Sequence, residues 1–503
     1  MLSGRTLGFV LIAFTCLRGA NAAESTAHRP PNILLAIADD ASWPHMSAYG
    51  CKFLKTPNFD RVAREGTLFN NCFTPTPKCS PSRAALLTGR NPWQLEEAAD
   101  HFGIFSSKFK VYPDQLEAAG YHIGFTGKGW GPGDFLKGGF KHNPAGIQYN
   151  QLKAKPPTTG ISPVDYAANF NAFLNARPKG EPFCFWYGGH EPHRPYELGS
   201  GVKSGKKLTD VDIAPYLPAD DIVRSDVLDY ALEIEWFDNH LGRMLKKLEE
   251  IGELDNTIVV VTSDNGMPFP RVKGHIFEDA CHLPLAIRWG DGMKGGRTVD
   301  DFISFIDLAP TFLDAVKVKP ADAMTGTSIL SILQSSGSGQ IDPKRDHVLL
   351  GRERTDIGRP GDVGYPVRAI RTRDYFYSHN FAPDRWPAGD PETGFTDIDD
   401  SPTKKDVLQL KVQGIYKWFD LAMGKRPAEE LYEMKSDPGC VNNVAERADL
   451  ADIRGRLWAQ VQEELRAQND PRMLGKGDAF DTYKYQGSRE HAWDSVMGKK
   501  TEK

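Results

Sequence analysis

No two cysteines of this chain stand as Cys-x-x-Cys, no asparagine begins an Asn-x-Ser/Thr acceptor, and basic residues do not outnumber acidic ones. The seven cysteines fit neither a zinc-binding spacing nor a dense disulfide framework. One or two disulfides stay open, and sequence cannot pair them. A formal net charge of −5 gives no field for nucleic acid. A polyanionic ligand would have to be met by a local cluster of Lys, Arg and His. Beyond the first residues no apolar run is long enough to span a bilayer.

The chain does begin like an exported protein. Arg5 precedes an apolar run from Gly8 to Leu17, and Ala20-Asn21-Ala22 offers a small-residue cleavage site, so residues 1–22 read as a signal peptide. A membrane anchor is the competing reading, but the run is short for one. With the glycosylation acceptor missing, a bacterial route to the periplasm or medium is favoured.

At 503 residues the chain exceeds one ordinary core, which predicts a large domain over 30–345, a smaller α+β domain over 346–485 and a polar, mobile tail over 486–503. Asn32 to Ala38, Tyr121 to Thr126, Pro182 to Gly188 and Thr257 to Thr262 are short apolar runs, each ending in polar residues. They read as buried strands. Between the last two, apolar residues from Val227 to Leu248 recur at helical spacing, predicting a helix over Ser225 to Glu250 closed by Gly252. Strands alternating with helices predict an α/β sheet whose ligands sit beyond the carboxyl ends of the strands. Later, His347 to Arg352, Tyr365 to Thr372 and Tyr375 to Asn380 read as strands. Pro383 to Pro402 reads as a connection, and Ala448 to Gln468 as a helix.

The most informative segment is Cys79-Ser80-Pro81-Ser82-Arg83, continued by Leu87-Thr88-Gly89-Arg90. Pro81 suits a first helical turn, which would set Cys79 where free N–H groups and the helix dipole favour an anion, with Arg83 one turn along. This segment resembles the sulfatase signature, and the likeness runs from about Pro31 to Ala445. The resemblance implies an alkaline-phosphatase-like α/β fold with a large mixed, mostly parallel sheet. It also implies that Cys79 is oxidised, by a formylglycine-generating enzyme, to a formylglycine whose hydrate attacks sulfur.

Asp39, Asp40, Asp264 and Asn265 offer four oxygen donors from two strand ends, which suits a hard cation, calcium or magnesium. The resemblance makes these residues, with Cys79, the metal ligands. It gives Arg83, Lys128 and Lys273 to the sulfuryl oxygens and His193, in Pro192-His193-Arg194-Pro195, to the leaving group. One departure stands out. Most relatives carry a histidine after the Lys128 strand where this chain has Trp130; His101 and His190 are candidate stand-ins, each read first as a substrate-binding or structural residue.

Within the family the motifs are closest to heparan N-sulfatases, through Met267-Pro268-Phe269-Pro270 and Asp100-His101-Phe102. That implies a sulfated saccharide substrate, N-sulfoglucosamine first. An O-sulfated algal or host glycan is the alternative, and a phosphoester or phosphonate hydrolase a more distant one. Arg352, Arg354 and Arg368 are expected at the cleft rim, pairing with substrate.

Overall fold

The computed structural model describes residues 29–321 and 323–501, together with Met1, Leu2 and Gly4. The signal peptide expected over 1–22 otherwise lies outside the described residues. Among the described residues no helix is long and apolar enough to cross a membrane.

The main sheet has nine strands: β1 (Asn32–Ala38), β2 (Thr67–Phe73), β3 (His122–Gly127), β4 (Ile147–Gln148), β5 (Phe183–Gly188), β6 (Thr257–Ser263), β7 (His282–Arg288), β8 (Arg297–Val299) and β9 (Ile303–Ser304). Its order is β4-β3-β5-β1-β6-β7-β2-β8, with β9 also on β2. The strands β3, β5, β1 and β6 run parallel side by side. Only the pairings of β7, with β6 and with β2, are antiparallel.

β1 shows why these strands are apolar throughout. It lies between β5 and β6 and is buried along its whole length. Leu34, Ala36 and Ala38 enter the core on one face and Ile33, Leu35 and Ile37 the core on the other. The first face is covered by the helix Asp221–Glu250, through Leu228, Ile234, Leu241 and Met244. This helix begins four residues earlier than the apolar spacing predicts. The Asp220 carboxylate accepts from the Ile222 and Val223 N–H groups and so fixes the start in a polar first turn.

A second, wholly antiparallel sheet runs β10 (His347–Arg352), β11 (Val367–Thr372), β12 (Tyr375–Asn380), β13 (Glu429–Glu433). One face joins the main core through Val348, Leu350, Val367 and Tyr432. On the other, Leu349, Ile370 and Leu431 meet Leu457, Val461 and Leu465 of the helix Ala451–Ala467. Arg371 of β11 pairs with Glu278 at 2.7 Å, and Gly351 N–H donates to the Pro75 carbonyl at 2.8 Å. The second sheet therefore stands against the loop that leads into Cys79.

Two expectations are corrected. Cys51, Cys72, Cys79, Cys184, Cys281 and Cys440 are all free, so the described residues contain no disulfide. The polar tail is ordered into a helix, Trp493–Thr501, rather than left loose. Trp493 N–H donates to the Ile357 carbonyl at 3.1 Å and Lys500 Nζ to the Glu392 carbonyl at 2.8 Å.

Candidate active site

Four neighbouring parallel strands deliver the site from their carboxyl ends. β1 runs into Asp39 and Asp40, β6 into Asp264 and Asn265, β3 into Lys128, and β5 into the turn carrying His190 and His193. Asp40 adopts a left-handed backbone (φ 79°), which Asp tolerates better than most residues. The reversal lets two consecutive carboxylates face one point. Cys79 opens the helix Cys79–Thr88, every residue of which is buried. Ser82 Oγ ties its first turn to the Asp264 carbonyl at 2.5 Å.

The chemistry converges tightly. Cys79 Sγ lies 3.5 Å from Asp39 Oδ1 and 3.8 Å from Asp40 Oδ1. Ligand atoms of Asp39, Asp40, Cys79 and Asp264 all fall within 4.8 Å of one another. Lys128 Nζ donates to both Asp39 oxygens at 2.8 and 2.7 Å. Lys273 Nζ bridges Asp40 Oδ2 at 2.6 Å and Asp399 Oδ2 at 2.9 Å. Arg83 Nε meets Asp264 Oδ2 at 2.8 Å, and its Nη1 donates to the Lys128 and Gly129 carbonyls.

Electrostatics divide the carboxylates. Burial works to raise the Asp39 carboxyl, but Lys128, His193, Arg83 and Lys273 overcome it and hold the group well below the usual range. At Asp264 burial wins against Arg83 and the carboxyl is pushed up to about 6. Burial also pushes the Cys79 thiol up, so it is not a thiolate at neutral pH. The helix N-terminus does not activate it as a bare cysteine.

These residues fit a hard cation. The donors are carboxylate and amide oxygens, and Asn265 Oδ1 is buried without a hydrogen-bond partner while its Nδ2 donates to Asp40 Oδ1 at 2.8 Å. The group opens into a cavity of about 860 Å³ bordered by Asp39, Cys79, Lys128, His193, Lys273 and Asp399. The resemblance of the Cys79 segment to the sulfatase signature implies both metal use and a formylglycine at such a site.

His193 Nδ1 donates to the Arg194 carbonyl at 2.6 Å. A carbonyl only accepts, so this nitrogen carries the proton and Nε2, 3.9 Å from Asp40 Oδ2, is the basic one. His101 and His190 also line the cavity. Burial lowers His190 to about 4 and His101 well below its ordinary value, so both are neutral near pH 7. Trp130 is buried, and its Nε1 donates to the Ser80 carbonyl at 3.0 Å. A brace on the Cys79 turn stands where the resemblance to the family implies a histidine.

The rim expected from three arginines is corrected. Arg352 pairs with Asp397 at 2.7 Å, Arg354 lies 3.3 Å from Asp100, and Arg368 Nε meets Asp470 at 2.7 Å. All three are buried and none borders the cavity. Arg83 too is wholly buried behind the cavity wall, where it holds Asp264. The sequence reading missed Asp399, placed in what reads as a connection, Tyr485, at the last position of the smaller domain, and Ser488 and His491, placed in what reads as a loose tail. We expect Arg368→Met to lose about 3–5 kcal/mol of stability, because Asp470 keeps its buried charge without a guanidinium partner. Activity per folded molecule should hold. Chemical denaturation and active-site-normalised rates check both.

A sulfatase family model matches residues 31–318, more than half of the chain, and the chain belongs to the sulfatase family. It is a hydrolase of sulfuric esters or sulfamates. An ulvan-active sulfatase of Formosa agariphila is 26% identical over 92% of this chain and 80% of its own. The human N-sulphoglucosamine sulphohydrolase is 27% identical over 88% and 91%. A solved structure in complex with its substrate D-glucosamine-2-N,6-O-disulfate superposes with a TM-score of 0.62 at 22% identity, covering 88% of this chain and 98% of that one. The fold is the alkaline-phosphatase-like one of such sulfatases, a mixed, mostly parallel sheet with a smaller antiparallel sheet beside it.

Proposed function

We propose that this protein removes sulfate from a sulfated saccharide, with formylglycine formed at Cys79 and Ca²⁺ as its cation (Mg²⁺ the alternative). The observation that carries this reading is the placing of Cys79 Sγ 3.5 Å from Asp39, inside a buried carboxylate cluster that opens to a cavity bordered by Lys128 and Lys273. A thiol held protonated by burial makes a poor nucleophile, which supports conversion of that carbon to another group. When present, formylglycine would supply a hydrated aldehyde as nucleophile, and the cation would polarise a sulfate oxygen. Asp39, Asp40, Asp264 and Asn265 would hold the cation beside the group derived from Cys79.

The chain's own residues then divide the work. Lys128 and Lys273 border the cavity as ammonium groups and would neutralise charge on the sulfuryl oxygens. Arg83 fixes Asp264 from behind. His193, with Nδ1 committed to a carbonyl, would take up a proton at Nε2 and pass it to the leaving group. Export to the periplasm or medium and maturation by a formylglycine-generating enzyme belong to the same reading.

N-sulfoglucosamine is the leading substrate, supported by the Met267-Pro268-Phe269-Pro270 segment and by the human relative's named activity. An O-sulfated glycan is the second reading, favoured by Trp130 and by the ulvan-active relative. We expect free sulfate from N-sulfated glucosamine in a panel of N- and O-sulfated saccharides. Release from O-sulfated sugars alone would overturn the N-sulfate assignment and leave the saccharide sulfatase standing.

A further inference from the structure

The cavity wall carries a carboxyl that nothing among the described residues satisfies. Glu233, on the helix Asp221–Glu250, is 2% exposed and borders the cavity beside Gly160, Ser162, Glu191 and Arg194. Both of its carboxyl oxygens are buried without a hydrogen-bond partner. The neighbours that could serve them are engaged elsewhere. Glu191 accepts from Ser162 N–H and from Tyr166 Oη, each at 2.8 Å. Arg194 forms a two-point pair with Asp226 at 2.8 and 2.7 Å and donates Nε to the Pro268 carbonyl. A Cβ at position 160 would come within 2.9 Å of Oε1, so the bare glycine leaves that oxygen clear.

Buried polar groups are nearly always paired, because an unpaired one has lost water without gaining a partner. An apolar side chain on this helix would avoid that cost, so an unpartnered carboxyl at a cavity wall points to a ligand. Burial, reinforced by Glu191, raises Glu233 well above the usual carboxylate range, and a neutral carboxyl can both donate and accept. The matching group is a hydroxyl.

We propose that Glu233 is a specificity-determining residue whose carboxyl binds a hydroxyl of the sugar that carries the sulfate. This rests on the saccharide reading above. It divides the cavity into an anion-binding side at Lys128 and Lys273 and a hydroxyl-binding side at Glu233.

The test compares Glu233→Leu and Glu233→Gln with the wild type, on the panel's best saccharide sulfate and on 4-nitrophenyl sulfate, which has no sugar hydroxyl. For Glu233→Leu, saccharide kcat/KM should fall about 10-fold or more relative to that for the aryl sulfate, mainly through KM. Glu233→Gln, still a donor and acceptor, should recover most of that selectivity. The melting temperature of Glu233→Leu should equal or exceed that of the wild type, since an unpartnered buried carboxyl is removed. Equal losses on both substrates, or a lowered melting temperature, would make Glu233 a structural residue and overturn the proposal. Unchanged saccharide selectivity would overturn it as well. A wild type that turns over the aryl sulfate and no saccharide would instead remove the saccharide reading on which it stands.

Discussion

Cys79→Ala should abolish turnover, by about 10⁴-fold or more, and leave the protein folded. Alanine keeps the helix start, whose first turn is held by Ser82 Oγ on the Asp264 carbonyl and by Trp130 Nε1 on the Ser80 carbonyl. The loss of a buried thiol costs about 1 kcal/mol, so circular dichroism and melting should barely change. Cys79→Ser is the sharper variant. Serine offers one hydroxyl where a hydrated aldehyde offers two, and a sulfated serine lacks the second hydroxyl that expels sulfate. It should fail under multiple turnover, with sulfate retained on the protein. Sustained turnover by either variant, measured as free sulfate, would refute the mechanism.

Asp264→Ala should remove activity and stability together. Asp264 Oδ2 holds Arg83 Nε at 2.8 Å, and its Oδ1 accepts from the backbone N–H groups of Asp40 and Asn265 at 3.1 and 2.8 Å. Its removal takes from a buried guanidinium its hydrogen-bonded carboxylate and leaves it only Asp39 at 3.6 Å, a loss of about 3–5 kcal/mol. Chelation of the wild type isolates the cation's share. Activity should vanish, and stability should drop by about 2.7 kcal/mol for a cation formerly present at 100 times its Kd. Melting curves with and without chelator, followed by Ca²⁺ and Mg²⁺ add-back, measure both effects. Activity surviving thorough chelation would count against the cation.

The strand ends were legible in the sequence because β1, β5 and β6 are buried on both faces. An uninterrupted apolar run followed by Asp-Asp, Gly-His-Glu-Pro-His or Ser-Asp-Asn-Gly marks the point where such a strand leaves the core. Cys79 was legible from its motif alone, whereas its burial was not. The three arginines misled for a physical reason. A charged residue near a strand reads as exposed unless its partner is known. The partners Asp397, Asp100 and Asp470 are supplied by tertiary contacts that no local pattern records. Asp399 was hidden similarly, in an Asp-rich stretch that the fold brings to Lys273 at 2.9 Å. Glu233 sits at a helix position that reads as polar surface until the cavity beside it is seen.

The central claim is that Cys79, and not a thiolate, carries the reactive group. Mass spectrometry of the peptide containing Cys79, from protein produced with a formylglycine-generating enzyme, tests it directly when read against sulfate release from the same preparation. The account predicts a lighter, aldehyde-bearing peptide whose fraction rises in proportion to specific activity. Full activity from a preparation whose Cys79 is entirely thiol would contradict it.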